Sequence, residues 1–147
     1  MKYDCLKLEN QLCFPLYVCS KEIVRRYKPF LDKLDLTYTQ YITMMVLWEI
    51  KEINVKDLGN KLFLDSGTLT PLLKKLENKG YITRIRDLYD ERNVLISITE
   101  KGMKLRDDAL NIPQNVGKCI NINEKEVADL YKILYEIIDD MKENENE

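Results

Sequence analysis

The stretch Asp65-Ser66-Gly67-Thr68-Leu69-Thr70-Pro71-Leu72-Leu73-Lys74-Lys75-Leu76-Glu77-Asn78-Lys79-Gly80 decides how this chain folds. Leu69, Leu72, Leu73 and Leu76 recur at the three- and four-residue steps of a helix with one apolar face. Asp65 or Ser66 supplies the N-cap, and Gly80 the left-handed residue that ends the helix. Pro71 lies beyond the first turn, where it removes a hydrogen bond, so a bent or shifted helix start is expected. Just upstream, Asn54 caps a shorter helix with Asp57 in its first turn and Leu58 and Leu62 on one face. Only Phe63 and Leu64 separate the two, which makes a helix-turn-helix. Tyr81-Ile82-Thr83-Arg84-Ile85-Arg86 then alternates as a strand does. A charged turn from Asp87 to Asn93 leads to a second strand, Val94-Leu95-Ile96-Ser97-Ile98-Thr99. A helix-turn-helix followed by a two-stranded hairpin is a winged helix, in a chain that is otherwise mainly α.

The second helix of that pair has a polar face of Ser66, Thr68, Thr70, Lys74 and Lys75, with hydroxyls near its N-terminus, where recognition helices touch bases and phosphates. Charge is distributed to match. Between Lys56 and Arg86 seven Lys/Arg face three acids, whereas from Asn121 to Glu147 nine acids face three lysines, within a net charge of only −2. A basic middle and an acidic end suit a DNA reader joined to a protein-contact element; charges scattered over solvated helix faces are the plainer alternative.

At 147 residues, 45% apolar and 33% charged, the chain fits one soluble domain with a real core. No apolar run approaches the roughly 20 residues of a membrane span, and Met1-Lys2-Tyr3-Asp4 lacks the apolar stretch of a signal peptide. A cytoplasmic location follows, and with it reduced thiols. Cys5, Cys13, Cys19 and Cys119 show no Cys-x-x-Cys spacing, and there is no histidine. No metal site or cofactor is therefore expected, and Ser-His and Cys-His catalytic pairs are excluded.

Outward from the winged helix, Thr37-Tyr38-Thr39-Gln40 reads as a capping box opening a helix whose buried stripe is Tyr41, Met44, Met45 and Trp48. Before it, Leu8-Glu9-Asn10-Gln11-Leu12-Cys13-Phe14 precedes Pro15, a residue at ease only in a first helical turn. Cys13 thus falls at a helix N-terminus, where free N–H groups and the dipole favour a thiolate. The plainer reading makes it a small buried hydrophobe. Pro29 is expected to kink or break this helix near Lys28. Past the wing, Thr99 caps a helix to about Leu110 that Pro113 stops. Asn123-x-x-Glu126 then opens a last helix carrying Val127, Leu130, Tyr131, Leu134, Ile137, Ile138 and Met141 on one side. That stripe and the first helix together suit a two-fold interface between subunits, while the acidic end after Met141 frays.

The chain resembles the MarR-type winged-helix regulators, and among them the organic-hydroperoxide-sensing repressors. The resemblance rests on Leu8 to Phe14 with Tyr17, on Tyr38-x-Gln40-Tyr41 leading to Leu47-Trp48-Glu49, on Leu64 to Pro71, and on Asp90-Glu91-Arg92. It implies a homodimer with one regulator domain over 1–147: residues 37–99 bind an inverted-repeat operator, and 5–34 and 100–142 hold the dimerisation helices. It implies that Cys13 is the peroxide-reactive thiol, that the hydroxyls of Tyr27 and Tyr38 hydrogen-bond its thiolate, and that Tyr17 shifts on oxidation. Cys119 falls where two-cysteine members carry a resolving thiol; Pro15, Cys5 and Cys19 depart from the pattern. Ser66, Thr68 and Thr70 are expected on bases or phosphates, and Lys74 and Lys75 on phosphates. Arg84 and Arg86 are expected on DNA, and Arg92 in the minor groove, oriented by Asp90. Two rivals remain: a MarR-type repressor released by a small aromatic ligand, and a thiol peroxidase.

Overall fold

The computed structural model describes residues 1–90 and 92–145; Glu91, Asn146 and Glu147, and with them the middle of the Asp90-Glu91-Arg92 motif, lie outside the described residues. Two compact units can be distinguished, Met1–Val116 and Gly117–Glu147. In the first, two 3-10 turns (Asp4–Leu6 and Leu8–Asn10) precede helix α1 (Cys13–Leu31), a further 3-10 turn and α2 (Tyr38–Ile50). Strand β1 (Glu52–Asn54), helices α3 (Val55–Leu62) and α4 (Ser66–Asn78), strands β2 (Ile82–Arg86) and β3 (Val94–Ile98), and α5 (Glu100–Ala109) follow. Helix α6 (Ile112–Gly117) leads into the second unit, which carries α7 (Glu124–Glu145).

Caps set the starts of these helices. Thr37 and Gln40 exchange the two bonds of the capping box, Thr37 N–H to Gln40 Oε1 at 3.1 Å and Gln40 N–H to Thr37 Oγ1 at 3.3 Å. Asn54 and Asp65 accept the N–H of Asp57 and Thr68, each at 2.8 Å, so α4 begins where its cap dictates and Pro71 does not shift its start. Asn123 and Glu126 pair reciprocally at 2.9 Å in front of α7. At the other end of α4, Gly80 has φ +78° and donates to Glu77 O while Tyr81 donates to Leu76 O, the paired closure that a left-handed glycine permits.

Four expectations need correction. The sheet has three strands, in the order β1-β3-β2, because Glu52–Asn54 pairs antiparallel with Leu95–Ser97 beside the expected hairpin. Pro29 does not break α1, which runs on to Leu31; two residues from the end, the lost hydrogen bond costs little propagation. The helix capped by Thr99 ends at Ala109, next to the expected Leu110, but Pro113 is not what stops it: it sits in the first turn of α6, where its missing N–H has no helical partner to lose, and so starts a helix. Met45 is 44% exposed, whereas Gln40, Thr43, Val46 and Leu47 are buried with Tyr41 and Met44, since α2 runs through the middle of the first unit and is covered on more than one side.

The core joins α2 (Met44, Leu47) to α3 (Leu58), α4 (Leu69, Leu73, Leu76) and the sheet (Ile82, Ile96), each at most 1% exposed. Trp48 extends it, donating its indole N–H to Gly102 O on α5 at 2.9 Å. Gly102 itself lies against the Tyr81 carbonyl and the Ile98 side chain, so close that a Cβ would collide with both. Gly102→Ala is expected to lower unfolding free energy by about 1–3 kcal/mol, as overpacking against backbone does. A lower denaturant midpoint at unchanged slope would measure it.

Candidate functional site

Two groups of residues carry the chemistry expected from the sequence. At the thiol end, Cys13 is the first residue of α1 and is exposed within its own chain, so it is not part of that chain's hydrophobic core. Leu12 in front of it offers no side-chain cap, Pro15 has no N–H, and the Phe14 N–H bonds Gln11 O at 3.3 Å, so the first turn leaves few free donors around Cys13. Tyr17 follows one turn on, 61% exposed, and Lys21 one turn further, its Nζ 5.3 Å from the centre of the Tyr17 ring. Spacing of four residues keeps all three on one face of the helix.

Tyr27 and Tyr38 form a separate cluster with Tyr41 and Trp48. The Tyr27 and Tyr38 rings meet edge to face at 5.1 Å, Tyr41 lies 5.7 and 6.4 Å from them, and Trp48 lies 6.2 Å from Tyr41. Burial pushes the Tyr27 hydroxyl above its usual value, burial and then the neighbouring Tyr27 raise Tyr38, and Tyr41 is pushed up to about 12. All three remain phenols, able to donate, at any physiological pH.

The unbroken α1 fixes the relation between the two groups. Fourteen residues at about 1.5 Å each place Cys13 roughly 21 Å along the helix from Tyr27. The structure therefore brings Tyr27 and Tyr38 together but not with Cys13 of their own chain, and the expected thiolate–phenol bonds cannot form within one chain. The four cysteines form no disulfide with one another here. Cys119 is exposed in the connection between α6 and α7, in the second unit.

At the other group, α4 buries its leucines and exposes Ser66, Thr68, Thr70, Lys74 and Lys75. Thr70 donates its hydroxyl to Ser66 O at 2.8 Å, tying that group to its own helix. Arg84 is held by Glu77 of α4 through two nitrogens, Nε at 2.8 Å and Nη2 at 2.7 Å, which fastens the hairpin to the helix. Arg86 and Arg92 are exposed. Asp90 accepts the backbone N–H of Arg92 at 3.0 Å, so it shapes the turn beneath Arg92 through the main chain. A groove of about 320 Å³ has Lys56, Asn60, Ser66 and Arg92 among its lining residues. Lys56 and Asn60 were not among the site residues expected from the sequence; the signal was available, since a cap at Asn54 sets both on one face of α3.

Comparison with known proteins bears on both groups. Residues 25–109 match the family described as transcriptional regulator SarA/Rot. The organic hydroperoxide resistance transcriptional regulator of Bacillus subtilis is 47% identical over 138 residues, 94% of either chain. The chain belongs to the MarR-type winged-helix regulators. AbfR of Staphylococcus epidermidis resembles this regulator in structure as well. Reduced AbfR bound to DNA superposes with TM-score 0.79 at 30% identity, covering 97% of this chain and 98% of AbfR; its disulfide form gives 0.64 at 31%, covering 94% and 97%.

Proposed function

We propose that this regulator is a repressor that grips an inverted-repeat operator as a homodimer and lets go when an organic hydroperoxide oxidises Cys13. The observation that carries the reading is an exposed cysteine at the first position of α1, in a chain 47% identical to an organic hydroperoxide resistance regulator. Residues 37–99 are the reader, and the segments 5–34 and 100–142 join the two subunits. Because α1 holds Cys13 far from its own Tyr27, the thiol of one subunit is served by Tyr27 and Tyr38 of the partner subunit, whose phenols stabilise an anion without adding charge.

The thiolate attacks the terminal peroxide oxygen, the O–O bond breaks, and the alcohol departs with a proton, leaving sulfenic acid. That group condenses with Cys119 of the partner subunit or with a small thiol and releases water. The larger adduct displaces Tyr17 and tilts α1, and the two readers lose the spacing of about 34 Å that successive major grooves require. One oxidation per thiol makes the protein a sensor, not an enzyme, and its work with DNA places it in the cytoplasm. The described residues hold no helix long and apolar enough to cross a membrane.

On DNA, Ser66, Thr68 and Thr70 meet bases or phosphates, Lys74 and Lys75 meet phosphates, and Arg86 adds positive charge along the hairpin, while Arg84, whose charge Glu77 offsets, holds the hairpin against α4. Arg92 enters the minor groove from the turn that Asp90 shapes. Arg92→Ala is expected to weaken operator binding by about tenfold without altering the thermal midpoint; equal binding would take the wing out of the reading. A second reading is favoured by a cavity of about 420 Å³ whose lining includes Val24, Leu31, Leu36 and Tyr38 with Lys21 and Arg25, and with Lys28 paired to Asp32, an apolar space with cations at its rim for a small aromatic acid. Gel shift of the reduced protein with cumene hydroperoxide in one series and salicylate in another decides. Release by the peroxide, reversed by dithiothreitol, supports the thiol sensor; release by the acid alone supports the ligand-operated repressor.

A further inference from the structure

The tip of the β2–β3 hairpin presents Leu88 and Tyr89 to solvent at 94% and 99% exposure. This is not a loose loop. Asp87 N–H bonds Asn93 O at 2.8 Å, Asn93 N–H bonds Asp90 O at 2.9 Å, and the carboxylates of Asp87 and Asp90 accept the N–H groups of Tyr89 and Arg92. Asp87 and Asp90 are thus turned onto the backbone of the turn, while an aliphatic and an aromatic side chain stand outward in a segment bounded by Arg86 and Arg92, whose third acid, Glu91, lies outside the described residues. A folded turn that holds two large apolar groups fully in water, flanked by cations, has the make-up of a wedge for nucleic acid.

Resting on the DNA-binding reading above, we propose that Tyr89, with Leu88 beside it, enters the minor groove next to the major groove read by α4 and sets the sequence preference there. The groove is about 6 Å wide, and a G·C pair projects the guanine amino group into it. A ring lying between the sugar walls is obstructed by that group and admitted by A·T pairs, and an apolar wedge is accepted most cheaply at flexible pyrimidine–purine steps. Arg92 then supplies charge and Tyr89 and Leu88 supply shape.

The experiment uses a duplex selected by the reduced wild-type protein from a randomised pool, together with a version in which the flanking A·T pairs are changed to G·C. Wild type is expected to bind the changed duplex about tenfold more weakly. Tyr89→Ala is expected to lose about tenfold on the original duplex and to show little further loss on the changed one, whereas Tyr89→Phe keeps both affinity and discrimination. Salt dependence separates this from a charge effect. Tyr89→Ala leaves the slope of log Kobs against log salt as it was, while Arg92→Ala lowers it by about one per wing. If Tyr89→Ala and the Leu88→Ala/Tyr89→Ala double variant both bind and discriminate as wild type does, the proposal is overturned. If wild type selects no duplex at all, the DNA-binding reading itself falls.

Discussion

Cys13→Ser is expected to hold its operator as tightly as wild type does, and to need at least about 100-fold more organic hydroperoxide before it lets go. The exchange replaces sulfur by oxygen at an exposed position in the first turn of α1, so neither the core nor the helix start changes; serine is, if anything, better tolerated there. What disappears is the polarisable nucleophile, since a hydroxyl at neutral pH is not oxidised by a peroxide. Gel shift across a peroxide series, with mass spectrometry of the dimedone adduct that traps the sulfenic acid, measures both halves. Release of Cys13→Ser at wild-type concentrations would overturn the thiol trigger and leave the DNA reader standing. Cys119→Ser makes the companion comparison: loss of covalent dimers with release retained points to a small thiol as the resolving group.

Mixed dimers give the second large effect. The double variant Tyr27→Phe/Tyr38→Phe keeps both rings in their edge-to-face packing and removes only the hydroxyls, so its thiol is expected to react about 10- to 100-fold more slowly, the cost of losing hydrogen bonds to an anion. Pairing this chain with Cys13→Ser restores one complete site only if thiol and phenols come from different subunits. The intact Cys13 then faces the unaltered Tyr27 and Tyr38 of the partner subunit, and this single Cys13 of each mixed dimer recovers the wild-type rate. If thiol and phenols belonged to one chain, the mixed dimer would remain as slow as the double variant. Stopped-flow oxidation of co-purified, differently tagged chains distinguishes the two, and slow kinetics would refute the arrangement deduced from the length of α1.

Much of this was legible in the residues wherever the determining interaction is local. Thr37 with Gln40, Asn54, Asp65, Thr99 and Asn123 with Glu126 each announce a helix through a bond to the residue three places on, and all five caps form. Gly80 was equally plain because its backbone conformation is one that side chains resist. Strand β1 was not readable: Glu52-Ile53-Asn54 is three residues of mixed polarity whose only reason to extend is Leu95–Ser97, more than forty positions away. The prolines misled for a related reason, since whether Pro29 or Pro113 ends a helix depends on where in the helix it falls and not on its presence. At the thiol site, the resemblance named Cys13, Tyr27 and Tyr38, and the separation of Cys13 from Tyr27 was itself readable, since the helical stretch between them ends before Pro29 and fourteen residues of helix set it. Lys56 and Asn60 escaped because a surface helix offers several polar faces, and only the approach of Arg92 from the hairpin selects one.

The chain contains one tryptophan. Trp48 stands 6.2 Å from Tyr41 and within one ring cluster of Tyr27 and Tyr38, and its N–H is tied to α5. Emission from that single indole therefore arises beside the very phenols assigned to the sulfur, at the junction through which movement of the rod must reach the reader. The molecule carries its own optical gauge, in which spectral position and quenching follow repacking of that junction without a label, in free protein and on the duplex alike.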